Sequence, residues 1–199
     1  MIEDCPVVPA TKFRNVPAIA AIRFRDGEPV DRLFATVVTT LRVGAAHIDG
    51  ILQEKNNNCD GCCATMRLRN IADGSLVQIS QDRGRHGRGC RLDTSALADV
   101  AGRLERAVEA GVDLLIVNRF GRAESEGHGL RAVIEQAALG GVPVLIGVRD
   151  EYVDAWDAFH GGTATALPLD EAAVLAWCHT ILGIPPTVIE GRDSVTLGD

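Results

Sequence analysis

Lysine is almost absent from this 199-residue chain: Lys12 and Lys55 are the only two, and neither follows a glycine. That excludes a Gly-Lys-Ser/Thr phosphate loop anywhere in it, since such a loop needs the lysine to reach the β/γ-phosphates. Every other basic residue is arginine, so a bound anion is expected to meet planar guanidinium forks and not ammonium groups. An excess of positive charge is missing too. At a formal net charge of −7, no nucleic-acid partner is expected, because there are no spare cations to displace counterions. No apolar run approaches the roughly 20 residues of a membrane span. The opening Met1-Ile2-Glu3-Asp4-Cys5-Pro6 is acidic and lacks the positive start of a secretory signal. The expected location is cytoplasmic.

What is present reads as a globular α/β protein, with 46% hydrophobic and 24% charged residues, as folded domains have. A loose leader is expected over 1–17, one α/β domain over 18–184 and a tail over 185–199. Ala18–Ile22 is a short apolar run consistent with a buried strand. Leu33, Phe34, Val37, Val38 and Leu41 line one face of a helix expected from about Val30 to Arg42, and His47–Gln53 reads as a second strand. Residues 54–93 form an expected insertion. It holds a cysteine cluster, a hairpin of Ala64–Asn70 and Leu76–Ser80 around Asp73-Gly74, and a loop rich in glycine and arginine.

Alternation then resumes. A helix capped at Asp93 or Thr94 is expected to run to about Ala110 and end at Gly111. Further strands are expected at Asp113–Val117, Val142–Val148 and Thr163–Leu167, and helices at His128–Leu139, Asp150–Phe159 and Leu169–Leu182. Apolar strands alternating with amphipathic helices predict a mainly parallel sheet covered on both faces.

Two stretches carry a resemblance. Val112–Glu124 is an apolar strand followed by Asn118-Arg119-Phe120-Gly121-Arg122-Ala123-Glu124. It resembles the Walker B region of the small thermophile-type nucleoside-triphosphatase family, with Gly121 and Glu124 in place and Asn118-Arg119 where that family has an acidic pair. Gln78–Asp82, Gly89–Asp93, Asn118–Gly121, Glu124, Glu126-Gly127 and Gly129-Leu130 resemble a bacterial domain-of-unknown-function family sometimes labelled a molybdenum ABC transporter ATP-binding protein. The resemblance implies a three-layer P-loop-like fold with a β-hairpin insertion and a degenerate P-loop. It also implies a link to molybdenum transport or molybdoenzyme partners, with molybdate among the ligands.

The turn where phosphate would bind supports the degeneracy. Phe24–Arg32 has one glycine, and Asp26, Glu28 and Asp31 would repel phosphate. A non-hydrolytic binding or accessory protein for an oxyanion or metal is therefore the leading expectation. A divergent nucleoside triphosphatase or phosphotransferase is the alternative, and a thiolate metal protein the third.

Ligands of open α/β sheets sit at the carboxyl ends of the strands. Arg25, Arg119 and Arg149 follow three of those ends, with Arg122 close by and Asn118 and His128 as further ligand-binding candidates. Such arginines build an anion pocket or else pair with Asp26, Asp150, Glu124 and Glu126 in surface salt bridges. Glu124 and Glu126 are the candidate acid/base pair if the chain is an enzyme; otherwise they complement a helix dipole. Cys59, Cys62 and Cys63, with Cys90 or His86 completing the set, suit zinc or an iron–sulfur cluster. A redox pair or free thiols are the other readings. Cys178 is expected to be buried in the last helix.

Overall fold

The computed structural model describes residues 19–56, 65–81 and 91–185. The leader, the tail from 186 onward and the positions of Cys59, Cys62, Cys63, His86 and Cys90 lie outside the described residues.

The apolar run opens strand β1, Ile19–Phe24. Helix α1, Val30–Leu41, follows and buries Val30, Phe34, Val37, Val38 and Leu41, the spacing of one helical face. Strand β2, Ile48–Asn56, turns back along β3, Thr65–Asn70, and β4, Leu76–Gln78. A short pair, β5 (Ser80–Gln81) and β6 (Arg91–Leu92), leads into helix α2, Thr94–Ala110. Asp93 caps α2 through Ser95 and Ala96 N–H, and Gly111 ends it at φ 90°, a conformation glycine adopts without strain.

Next come β7 (Leu114–Phe120), the short α3 (Arg122–Ser125), α4 (Arg131–Leu139) and β8 (Val144–Arg149). A 3₁₀ turn at Asp150–Tyr152 opens α5 (Val153–His160), and β9 (Thr165–Leu167) and α6 (Glu171–Leu182) close the described chain.

The main sheet has seven strands in the order β4-β3-β2-β7-β8-β1-β9. Pairings from β2 through β9 are parallel, while β3 and β4 add an antiparallel margin. The expected hairpin insertion thus extends the sheet on one side. One apolar layer gathers Leu97, Val100, Leu104, Ile134 and Trp156 from α2, α4 and α5 over Val117, Ile146 and Val148. The other gathers Phe34, Val37, Val174 and Trp177 from α1 and α6 over Ile22, Ile116 and Leu145. Each fully buried Leu, Ile, Val or Phe among them contributes about 1.5–3 kcal/mol, and the central strands are covered on both sides, hence their unbroken apolar runs.

One irregularity interrupts the parallel pairing. Val117 pairs with Ile146, but the next pairing along β7 is Phe120 with Val148, so β7 carries one residue more than its partner. Phe120 therefore shares the face of Val117, and simple alternation is broken at Asn118-Arg119. This is a β-bulge, which re-aims the side chains around it.

Candidate functional site

The bulge sits at the carboxyl end of β7, opposite the first turn of α1. Both of its side chains reach the same residue. Asn118 Nδ2 donates to Asp31 Oδ1 at 3.2 Å, and Arg119 Nη2 lies 2.8 Å from each Asp31 oxygen. In a regular strand two successive side chains would point to opposite faces; the extra residue lets both address α1. Gly147 on β8 makes room for it. A Cβ there would stand 2.3 Å from the Asn118 carbonyl oxygen and 3.2 Å from Phe34.

Asn118 is fully buried, and the Arg119 side chain retains 16% of its exposure against 40% for Asp31. The Arg119 guanidinium also stands 5.3 Å from the centre of the Phe24 ring, a cation–π contact. Two buried atoms of this group have no hydrogen-bond partner among the described residues: Asn118 Oδ1 and Arg119 Nε. Buried polar atoms are nearly always paired, so this corner holds an unsatisfied acceptor and an unsatisfied donor side by side in sequence.

The other predicted arginines lie elsewhere on the same edge. Arg25 Nε is 3.2 Å from Asp150, and its backbone N–H donates to Glu28 at 2.6 Å. Arg149 reaches Asp26 at 3.0 Å and Glu151 at 3.1 Å. Arg122 pairs with Glu126 at 2.7 Å, one helical turn on. Each predicted arginine thus has a carboxylate partner, and only Arg119 is both largely buried and joined to a second site residue. Exposed pairs of the remaining kind contribute about 0–1 kcal/mol.

Glu124 is buried and already engaged. Its Oε2 accepts from Gly121 N–H at 2.9 Å and its Oε1 from Leu130 N–H at 3.0 Å. The carboxylate therefore ties both ends of the loop after β7 together. Gly129 at φ 63° leaves room for it, since a Cβ there would come within 2.3 Å of Oε1. This corrects one expected element: the helix predicted from His128 begins at Arg131. His128 is exposed, and its side chain has no polar contact among the described residues.

The predicted cysteine ligands fall outside the described residues, and within those residues no group of three or more His, Cys, Asp or Glu is placed to hold a metal ion. Cys178 is buried in α6, and burial pushes its thiol up to about 12. Two residues beyond the predicted set belong to this edge. Asp31 is the hub of the corner; its position in the first turn after β1 was the signal for it. Tyr152 stands beside Glu151, and burial, then the hydrogen bond to Glu151, raise its phenol above the ordinary range.

A mainly parallel sheet covered by helices on both faces, with β8 between the first strand and the Walker-B-like strand, is a P-loop nucleoside-triphosphatase-like fold. The solved structure of THEP1 from Aquifex aeolicus is similar over 82% of this chain and 98% of its own, with a TM-score of 0.61 and 14% identity. A human cancer-related nucleoside triphosphatase is similar over 81% and 95%, with a TM-score of 0.54 and 9% identity. At these identities the likeness is one of fold.

The chain belongs to the DUF2478 family of proteins of unknown function, whose family model matches residues 19–177. A Bradyrhizobium diazoefficiens protein named molybdenum import ATP-binding protein ModC 2 is 32% identical over 177 residues, 89% of this chain. The chain spans 20% of that relative's length.

Proposed function

We propose that this is a non-hydrolytic, P-loop-like accessory protein that binds a small oxyanion at the carboxyl edge of its sheet. One observation carries the reading: the bulge delivers Asn118 and Arg119 together to the first turn of α1, leaving a buried donor and acceptor without protein partners among the described residues. The turn that would hold a triphosphate instead carries Asp31 within its helix and Glu28 bound to Arg25 N–H. A polyphosphate placed there would meet negative charge where helix amides and dipole should be unopposed. Glu124, the acid that hydrolysis would call on, is held by two backbone amides.

The name of the Bradyrhizobium relative puts molybdate among the oxyanions to test, and a role beside molybdenum transport or molybdoenzymes belongs to the same proposal. Zinc or an iron–sulfur cluster at Cys59, Cys62, Cys63 and Cys90 is a separate expectation, read by elemental analysis of anaerobically purified protein.

The test is thermal unfolding with phosphate, sulfate, molybdate and Mg-ATP, alongside phosphate release from ATP and GTP. An oxyanion at about 100 times its Kd should stabilise by ~2.7 kcal/mol, a rise of roughly 5–10 °C for a chain this long. Arg119→Ala should weaken that response. No response to any oxyanion would sink the reading. Mg-dependent phosphate release lost on Glu124→Ala would replace it with the divergent hydrolase.

A further inference from the structure

We infer that, independently of any anion at the strand ends, the chain's own C-terminal segment docks on the open face of the antiparallel margin. Ile189 meets the apolar side chains of that face, and Glu190 and Asp193 meet Arg67.

The margin of β2, β3 and β4 is well covered on one face only. Ile51, Leu68 and Ile79 are buried in the layer that holds Leu97, Val100 and Leu104 of α2. Alternation along the strands sends Leu52, Glu54, Arg67, Arg69, Leu76 and Gln78 to the opposite face. There the side chains of Arg69 and Glu54 keep 42% and 39% of their exposure, and Leu76 keeps 44%. The register sets these residues in two rows across the strands: Leu52, Arg69 and Leu76 in one, then Glu54, Arg67 and Gln78. Arg69 is committed to Glu54 and to the Gly74 carbonyl. Arg67 is half-buried and has no polar partner among the described residues. The face therefore offers two leucines and one uncommitted cation.

The C-terminal segment sets out from beside this face. α1 and α6 share the layer on that side of the sheet. Ile184 stands against the turn that follows α1, since a Cβ on Gly44 would lie 3.8 Å from its Cδ1. Val43 in the same turn is 89% exposed, and β2 begins just beyond, at Ile48. From Pro185 the sequence continues Pro186-Thr187-Val188-Ile189-Glu190-Gly191-Arg192-Asp193.

Reach and chemistry agree row by row. At the rise of a strand, the row of Leu52 lies about 13 Å from the start of β2 and the row of Glu54 about 20 Å. An extended chain from Pro185 carries Ile189 about 13 Å out, and Glu190 and Asp193 roughly 17 and 26 Å. An apolar side chain thus arrives level with Leu52 and Leu76, and two carboxylates bracket Arg67. Covering the leucines removes apolar surface from water, and a carboxylate on Arg67 forms charge-assisted hydrogen bonds.

Hydrogen exchange of the full chain tests this. Backbone amides of residues 188–193 should exchange at least about tenfold more slowly than in a free peptide of the same sequence. Arg67→Glu should remove that protection, and so should Glu190→Arg with Asp193→Arg. The latter pair leaves the sheet's own residues unchanged, which keeps the test independent of how Arg67→Glu folds. All three substitutions together should restore protection to within about threefold of the wild type. Amides that exchange as in the free peptide overturn the inference. So does protection that neither charge reversal moves, or that the combined variant fails to regain. Protection lost on dilution overturns it in favour of a segment supplied by a second copy.

Discussion

Arg119 Nη2 lies 2.8 Å from both carboxylate oxygens of Asp31, and so ties the end of β7 to the first turn of α1. The pair is asymmetric in burial: Asp31 is the exposed partner and Arg119 the covered one. Arg119→Ala and Asp31→Ala should each destabilise, by about 1–3 kcal/mol, because each leaves the other side's polar atoms short of a partner. Their double-mutant cycle in urea should return a coupling of about 1 kcal/mol. Additive losses would show that the contact joins the elements without holding them.

Glu124 makes the sharpest test of structure against chemistry in the loop after β7. Its two oxygens serve Gly121 N–H and Leu130 N–H separately. Glu124→Gln keeps the shape but has one carbonyl oxygen, so one amide loses its acceptor. The expected loss is about 1–2 kcal/mol, against roughly 2–4 kcal/mol for Glu124→Ala. Chemical denaturation reads both. A catalytic base would give the reverse pattern: Glu124→Gln would fold as stably as the wild type and lose turnover.

Most of the fold was legible because its signals are local. Leu33, Phe34, Val37, Val38 and Leu41 announce α1 by period, with Val30 buried in place of the partly covered Leu33, and the apolar runs of β1, β7 and β8 announce strands buried on both faces. What was not legible depends on pairing. The strand expected to end at Val117 continues to Phe120, because the bulge returns Phe120 to the core, where it meets the Trp156 ring edge-on at 5.3 Å. Nothing in Asn118-Arg119 signals an extra residue in the register; the space left by Gly147, on another strand, permits it.

The site obeyed the same rule. Arginines at strand ends were legible from position alone. The acids that Arg25, Arg149 and Arg122 meet, Asp150, Asp26 and Glu126, were among those named from position; the partner of Arg119 was not, since Asp31 is 88 residues away in sequence. The helix expected from His128 starts later because Glu124 folds back onto Leu130 N–H, a contact that no periodicity reports.

Cys178 offers a prediction in which burial sets the sign. It lies fully buried in α6 beside Val174 and Trp177, and burial raises its thiol from an ordinary 9.0 to about 12. The folded thiol therefore stays protonated while the unfolded chain ionises. Stability from this residue is fully present below pH 9.0 and is lost as pH rises from there toward about 12, at roughly 1.4 kcal/mol per pH unit at most. Cys178→Ala should flatten the alkaline limb of the stability curve by about 1 kcal/mol between roughly pH 9 and 10. Any cavity cost of the substitution is independent of pH and shifts the whole curve. A chain with the other five of its six cysteines changed to serine should resist alkylation when native and react on unfolding, because the thiolate is the nucleophile. Rapid alkylation of the folded chain, or an unchanged alkaline limb in Cys178→Ala, would mean that water reaches the Sγ and that α6 does not seal this side of the sheet.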